Sequence, residues 1–375
     1  MTAPVCGLVL MGGGARGAYQ AGVIRALATI SGPGSVPFPI ISGVSVGALN
    51  AAALGSSFLD FERAAQDIEH FWRTLNSQRV FRTSTPKMLA TLAGLGLGMT
   101  LPHLAPRLPR ALLDNAPLRA GLSGTLRLSG IRKAIRSGKL KAIGLTSSCY
   151  STGHAVTFFE AGPGTPNWRR VRRDGMRCHL TLDHALASAA LPLLFDAVQI
   201  GPDYYGDGML RLTSPLAPAI HMGATKLLTI ANAEAPSLVP EPTPLTPRYP
   251  TFGDLGGFAL DTIFNDNLDA DIERLHRINT VLHATPNGTD AKSGLRQIDI
   301  LSIRPTRSVQ EIALSFRRDM PRMLRWALGR SQSRPSAGRM ESYLLFERRY
   351  IDALFALGHA DAMARQAEIR AFLTG

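Results

Sequence analysis

Acidic residues are scarce where this chain begins, and none occurs before Asp60. Over all 375 residues, 28 Asp and Glu stand against 41 Lys and Arg, a formal net charge of +13. An excess of that size favours anionic partners such as a phospholipid surface, nucleic acid or an acidic protein. No basic segment with interleaved stacking aromatics is present, which argues against nucleic acid. Cysteine is also rare. Cys6, Cys149 and Cys178 form an odd set without paired spacing, so no disulfide framework or zinc motif follows, and a reducing, cytoplasmic compartment is expected. Long apolar runs are missing too: Gly, Pro, His103, Arg107 and Arg110 interrupt the apolar-rich stretch Met88–Leu113. No transmembrane helix of about 20 apolar residues is therefore expected. The N-terminus also lacks the basic, apolar and small-residue succession of a secretory signal.

Glycine is plentiful, at 36 residues, and it frames two segments near the N-terminus. Gly12-Gly13-Gly14-Ala15-Arg16-Gly17 follows the apolar run Val5–Met11, which reads as a buried strand. Val23, Leu27 and Ile30 then recur at helical spacing, so a helix is expected over Gly17–Ile30, ended by Ser31-Gly32-Pro33-Gly34. A second short strand, Phe38–Ile41, leads into Gly43-Val44-Ser45-Val46-Gly47 and the Ala-rich, helix-prone Val46–Leu54. Strand, helix, strand, helix in close succession argues for a parallel sheet with covering helices. Further strands are expected at Lys141–Ser147, Val156–Phe159 and Lys226–Ala231, and helices at Asp60–Leu75 and Leu182–Ala190. The proline-rich stretch 235–250 reads as a linker or long loop. It separates a domain spanning 1–234 from a mainly helical extension over 251–375 that packs on it, with helices at Phe258–Arg277 and Met340–Phe372.

The first glycine segment matches G-x-G-x-x-G between a strand and a helix, but a dinucleotide site also needs an acidic residue about 20 positions on, to hold a ribose hydroxyl. None is available before Asp60, and no Gly-Lys-Ser/Thr follows for a P-loop. The same backbone can serve acyl transfer, in which converging N–H groups stabilise a developing oxyanion. One such donor is worth about 2.7–4 kcal/mol of barrier. Arg16 adds a positive charge beside the loop. The second segment has the G-x-S-x-G form of a nucleophile elbow, a tight strand-to-helix turn exposing the Ser45 hydroxyl, and side chains at Gly43 and Gly47 would crowd that turn. A helix N-terminus at Ser45 also favours negative charge nearby.

A serine needs a base to take its proton. His221, His276 and His283 follow Asp207 in the order that a Ser-Asp-His triad would require, but none sits in a turn that presents it to a site. Tyr204-Tyr205-Gly206-Asp207-Gly208 instead sets one carboxylate between glycines. An aspartate is a poor base in water, with a pKa near 3.9. Burial against apolar neighbours raises it toward useful basicity.

These residues resemble patatin-like phospholipases. The resemblance rests on the G-G-G-x-R-G block at Gly12–Gly17, the elbow at Gly43–Gly47, the stretch Ala187-Ser188-Ala189-Ala190-Leu191-Pro192, and the Asp-Gly pair Asp207-Gly208. It implies a three-layer α/β/α fold with a mainly parallel central sheet and a helical C-terminal extension. It also implies a serine acyl hydrolase with no metal or cofactor, acting on phospholipid or another acyl ester. By the same resemblance Ser45 is the nucleophile and Asp207 its proton acceptor. The oxyanion hole falls to the backbone at Gly12, Gly13 and Gly14, supported by Arg16. Met209 stands where the family usually has Gly or Ala, a change expected to narrow the site or tilt its loop. Two other readings remain open, a Ser-Asp-His esterase and a non-catalytic lipid-binding scaffold. For peripheral contact with an anionic membrane, Phe316–Gly329 interleaves Phe316, Met320, Met323, Leu324 and Leu328 with Arg317, Arg318, Arg322 and Arg325. That pattern suits either a basic amphipathic helix on lipid or a core-facing helix with solvated arginines.

Overall fold

Leu8, Val9 and Leu10 are buried in succession. A strand apolar at every position demands cover on both faces, the situation of a parallel sheet between helices. The structure, a computed structural model, describes residues 4–82, 111–235, 252–284, 289–290, 295–328 and 338–375. The apolar stretch at 88–113 and the proline-rich stretch at 235–250 fall almost entirely outside these residues.

The strands are β1 (Cys6–Leu10), β2 (Ile40–Val44), β3 (Ala142–Cys149), β4 (Ala155–Ala161), β5 (Trp168–Arg170), β6 (Arg173–Arg177), β7 (Val198–Ile200), β8 (Asp203–Asp207) and β9 (Lys226–Ile230). A two-residue ladder, β10 (Thr289–Asp290) with β11 (Leu295–Arg296), and β12 (Asp299–Ile303) complete them. The main sheet runs β12-β9-β1-β2-β3-β4-β6-β5. Its first five strands are parallel neighbours, while β4 joins β3 antiparallel. All residues of β1 to β4 are buried, so helices cover both faces of that part of the sheet. The protein is thus a mixed α/β fold on a mainly parallel sheet. The C-terminal half, largely helical, also lends its strand β12 to the sheet edge.

Helix α1 (Gly17–Ser31) follows the first glycine segment, and α2 (Val46–Ser56) follows the second. The C-terminal helix Arg348–Ala364 lies along α1 at very close range. A methyl group on Gly22 would sit 2.0 Å from the Phe355 carbonyl oxygen, and one on Gly358 would sit 2.2 Å from that of Tyr19. Tyr19 Oη donates to Asp361 Oδ2 across the same seam. Long helices are expected from the sequence at 258–277 and 340–372, and both are interrupted. The first is a helix Phe252–Asp261, a π-turn Thr262–Asp266 and a helix Asn267–His283; the second divides at Leu345–Glu347 and at Arg365. Among the described residues no helix is long and apolar enough to cross a membrane.

The expected amphipathic helix at Phe316–Gly329 is also broken. A 3₁₀ turn at Arg317–Asp319 gives way to extended backbone at Met320 and Pro321 before a short helix, Arg322–Ala327. The reason lies in the packing: Met320 and Leu324 are buried in the core, Arg317 pairs with Glu341, and proline at 321 cannot continue a preceding helical turn.

Candidate active site

Strand lengths bring the two candidate side chains together. β3 pairs with β2 as far as Thr146, opposite Val44. It then overhangs by three residues, Ser147 to Cys149, and β8 fills that vacant edge antiparallel, with Asp207 opposite Ser147. β2 and β8 therefore meet end to end. Ser45, the next residue after β2, faces Asp207, the last of β8. Ser45 Oγ donates to Asp207 Oδ2 at 2.5 Å across 162 positions of sequence.

The backbone holds both groups firmly. Ser45 has φ 56 and ψ −129, a conformation that L-residues rarely adopt, at the point where β2 turns into α2. Gly47 lets this turn press against the end of β1, because a methyl group there would lie 2.2 Å from the Leu10 carbonyl oxygen. Ser188 in the buried helix Leu182–Ser188 ties the turn down. Its hydroxyl accepts from the Ser45 N–H at 2.9 Å and donates to the Thr146 carbonyl. On the other side, Met209 N–H donates to Asp207 Oδ1 at 2.9 Å, and Ser148 Oγ donates to the Asp207 carbonyl at 2.8 Å. Asp207 is 1% exposed. Burial pushes its carboxyl up to about 7, against the Ser45 and Met209 hydrogen bonds that lower it. A carboxylate so placed titrates near neutrality, where a proton acceptor for serine is most useful.

The first glycine segment packs beside this pair. A methyl group on Gly12 would lie 2.7 Å from Cγ of Met209, two residues beyond Asp207. Gly14 has φ 54 and a methyl group there would come within 2.3 Å of the Tyr343 carbonyl oxygen, so any side chain is excluded on two counts. Arg16 does not sit free beside the loop. It is wholly buried, its Nη2 bonded to Asp261 Oδ1 at 3.1 Å and to Ser342 Oγ at 2.7 Å, with its guanidinium 3.8 Å from the centre of the Tyr343 ring. Its charge is thus spent on binding the C-terminal segments to the start of α1. Met209 is buried with its side chain toward Gly12, as a bulky residue beside the loop should be.

The histidines lie elsewhere. His221 stacks on Trp168 at 5.0 Å between ring centres, and burial together with neighbouring arginines pushes its pKa down to about 4. His276 and His283 are exposed on Asn267–His283. No histidine bonds to Ser45 or Asp207 among the described residues. Nor do three His, Cys, Asp or Glu side chains gather there as metal ligands. Sequence reasoning missed the roles of Ser188 and Asn232, whose amide group donates to the Met11 and Gly12 carbonyls. A lone serine in the apolar run Ala185–Ala190 was the available signal for the first; nothing local marked the second.

Comparison with known proteins adds a lineage to this geometry. The family model described as patatin-like phospholipase matches residues 8–220, more than half of the chain. No curated protein matches. Among solved structures, human GIVD cytosolic phospholipase A2 in complex with methyl γ-linolenyl fluorophosphonate aligns over 99% of this chain and 58% of its own, at 13% identity and a TM-score of 0.41. VipD from Legionella pneumophila aligns over 94% of this chain and 67% of its own, at 12% identity and a TM-score of 0.32. The chain thus spans less than two thirds of the length of the human enzyme it matches.

Proposed function

The chain belongs to the patatin-like phospholipase family, and from that premise we propose that it is a serine lipid acyl hydrolase working through a Ser45–Asp207 dyad. The observation that carries the reading is the 2.5 Å hydrogen bond from Ser45 Oγ to the buried Asp207 carboxylate, whose pKa burial raises. Asp207 accepts the hydroxyl proton as Oγ attacks the ester carbonyl. The carbonyl oxygen becomes an oxyanion, held by N–H groups of the Gly12–Gly14 backbone. Collapse expels the alcohol or lysolipid, which takes the proton from Asp207, and leaves the acyl group on Ser45. Water then loses a proton to Asp207, attacks the acyl-enzyme, and releases the fatty acid as Ser45 recovers its proton. Every proton in this cycle is accounted for by the two side chains, so no metal or cofactor is needed. A triad would require a histidine within hydrogen-bonding reach, and His221, His276 and His283 are engaged or exposed elsewhere.

A fluorophosphonate bearing a fatty chain, followed by peptide mapping, tests the reading. Labelling is expected at Ser45 alone, together with release of fatty acid from phospholipid or lysophospholipid. A protein that stays unlabelled and inactive across a panel of acyl esters is instead a lipid-binding scaffold.

The substrate side of the proposal includes an anionic lipid surface. Leu255 and Phe258, 50% and 61% exposed, lie one turn apart on the helix that ends at Asp261, the residue gripping Arg16. Trp326, 70% exposed, stands beside the exposed Arg322 in the short helix Arg322–Ala327. Exposed apolar side chains with nearby cations suit the headgroup boundary. Flotation with vesicles is expected to rise with anionic lipid content and fall with salt. Recovery that responds to neither rules out the surface.

A further inference from the structure

A glycine loop has no side chains with which to fix its own peptides, so something else must aim its N–H groups. Asn232 stands two residues past β9, buried behind the loop. Its Nδ2 donates to the Met11 carbonyl at 3.1 Å and to the Gly12 carbonyl at 2.7 Å. A methyl group on Gly13 would lie 2.9 Å from the same nitrogen. Gln20 Nε2 shares the Met11 carbonyl at 2.7 Å, and the Arg16 N–H takes the Gly13 carbonyl at 3.1 Å.

A trans peptide is planar, with its C=O and N–H directed to opposite sides, and no peptide here is cis among the described residues. Anchoring the Met11 carbonyl therefore sets the direction of the Gly12 N–H. Anchoring the Gly12 carbonyl does the same for Gly13, and the Gly13 carbonyl for Gly14. One side-chain amide, that of Asn232, holds two of these three carbonyls, the Gly12 carbonyl by itself and the Met11 carbonyl together with Gln20. Among the described residues no hydrogen-bond donor meets the Oδ1 of that amide, so the contacts it makes here are those two to the loop carbonyls. Residues 8–220 match the family model, and Asn232 lies beyond them.

We propose that Asn232 is a positioning residue of the oxyanion site, aiming the Gly12 and Gly13 N–H groups by holding the carbonyls behind them. This rests on the hydrolase reading above. It makes β9 and its continuation a working part of the site rather than a neighbour of it. Loss of the clamp lets the peptides swing, and stabilisation of the transition state falls while ground-state binding of the acyl chain does not. The effect belongs in kcat.

The test compares wild type, Asn232→Ala and Asn232→Ser on a soluble short-chain nitrophenyl ester, with active sites counted by fluorophosphonate titration. Misplacing a catalytic group by about 1 Å costs roughly 10²-fold, and a loss of that order in kcat per titrated site is expected for Asn232→Ala. KM should stay within about twofold, the signature of an interaction made only in the transition state. The pH inflection set by Asp207 should not move. Asn232→Ser, whose hydroxyl donates to a single carbonyl, should recover part of the rate; if Asn232→Ala fails to fold, its kcat is judged by the same standard. A residue that only supports the fold would lower the melting temperature or the number of titratable sites and leave kcat per site intact, and that outcome overturns the proposal. So does a shift of the pH inflection, which would mean that Asn232 acts on Asp207. Wild-type turnover that survives in Ser45→Ala points to a different failure, that of the hydrolase reading itself.

Discussion

Ser45→Ala is expected to abolish ester hydrolysis, with kcat falling by about 10⁴-fold or more, since removal of an attacking serine leaves only what binding and oxyanion stabilisation supply. The substitution deletes one oxygen from a residue that is 4% exposed. It leaves the backbone bond from residue 45 to Ser188 in place. The fold should therefore persist, and circular dichroism with a melting curve checks that it does. Fluorophosphonate labelling should vanish in parallel. The cost falls on Asp207, which loses the hydroxyl that bonds Oδ2 and keeps only the Met209 N–H on Oδ1. Above pH 7 the variant should consequently melt lower than wild type, because a buried carboxylate then lacks one of its two donors. Near-normal turnover in folded Ser45→Ala would remove the nucleophile from this account.

Asp207→Asn is expected to be as inactive and yet more stable than wild type at alkaline pH. The amide is close to isosteric. Its oxygen can accept from Met209 N–H, and its NH₂ can donate to Ser45 Oγ, so both hydrogen bonds survive without the charge. What disappears is the proton acceptor, and with it the rise of kcat/KM through about pH 7 expected of the wild type, where burial places the Asp207 titration. The sign of the stability effect follows from linkage. The folded-state pKa lies above the unfolded value near 3.9, so the folded protein holds an extra proton between those two values. Stability from this group is complete below pH 4 and is lost as pH climbs through 7. Asp207→Asn escapes that loss. Its melting temperature should exceed that of wild type at pH 8, with the gap closing toward pH 4. Equal melting temperatures at pH 8 would show that the carboxylate is not strained by its burial, and the basis for its activity as a base would go with it.

The residues proposed to do chemistry left local marks in the sequence, and those proposed to aim them did not. Ser45 and Asp207 could be found because strained turns need small neighbours, and Gly43, Gly47, Gly206 and Gly208 supply them within a few positions. The first strands and helices were legible for a similar reason: fully buried strands such as β1 are continuous apolar runs. β12 was missed because Asp299 and Ser302 interrupt its apolar pattern, as an edge position permits. The Phe316–Gly329 segment read as one helix, lipid-facing or core-facing, because helical spacing alone cannot say which side a tertiary neighbour occupies. Pro321 was the local warning. Arg16 was read as a charge serving the loop, whereas its guanidinium is consumed 245 positions away at Asp261. Asn232 is invisible for the same reason, since a donor recruited across 220 positions has no periodicity to betray it.

The contact between α1 and Arg348–Ala364 constrains how this architecture can change over time. Gly22 and Gly358 bring two main chains so near that neither tolerates even alanine. A larger residue at one position cannot be offset by a smaller one at the other, because glycine is already the minimum. Descendants of this sequence must therefore keep both residues together or redock the entire terminal helix in one step. Since α1 begins where the glycine loop ends, such a redocking would disturb that loop as well. Divergence along that line is closed to gradual routes.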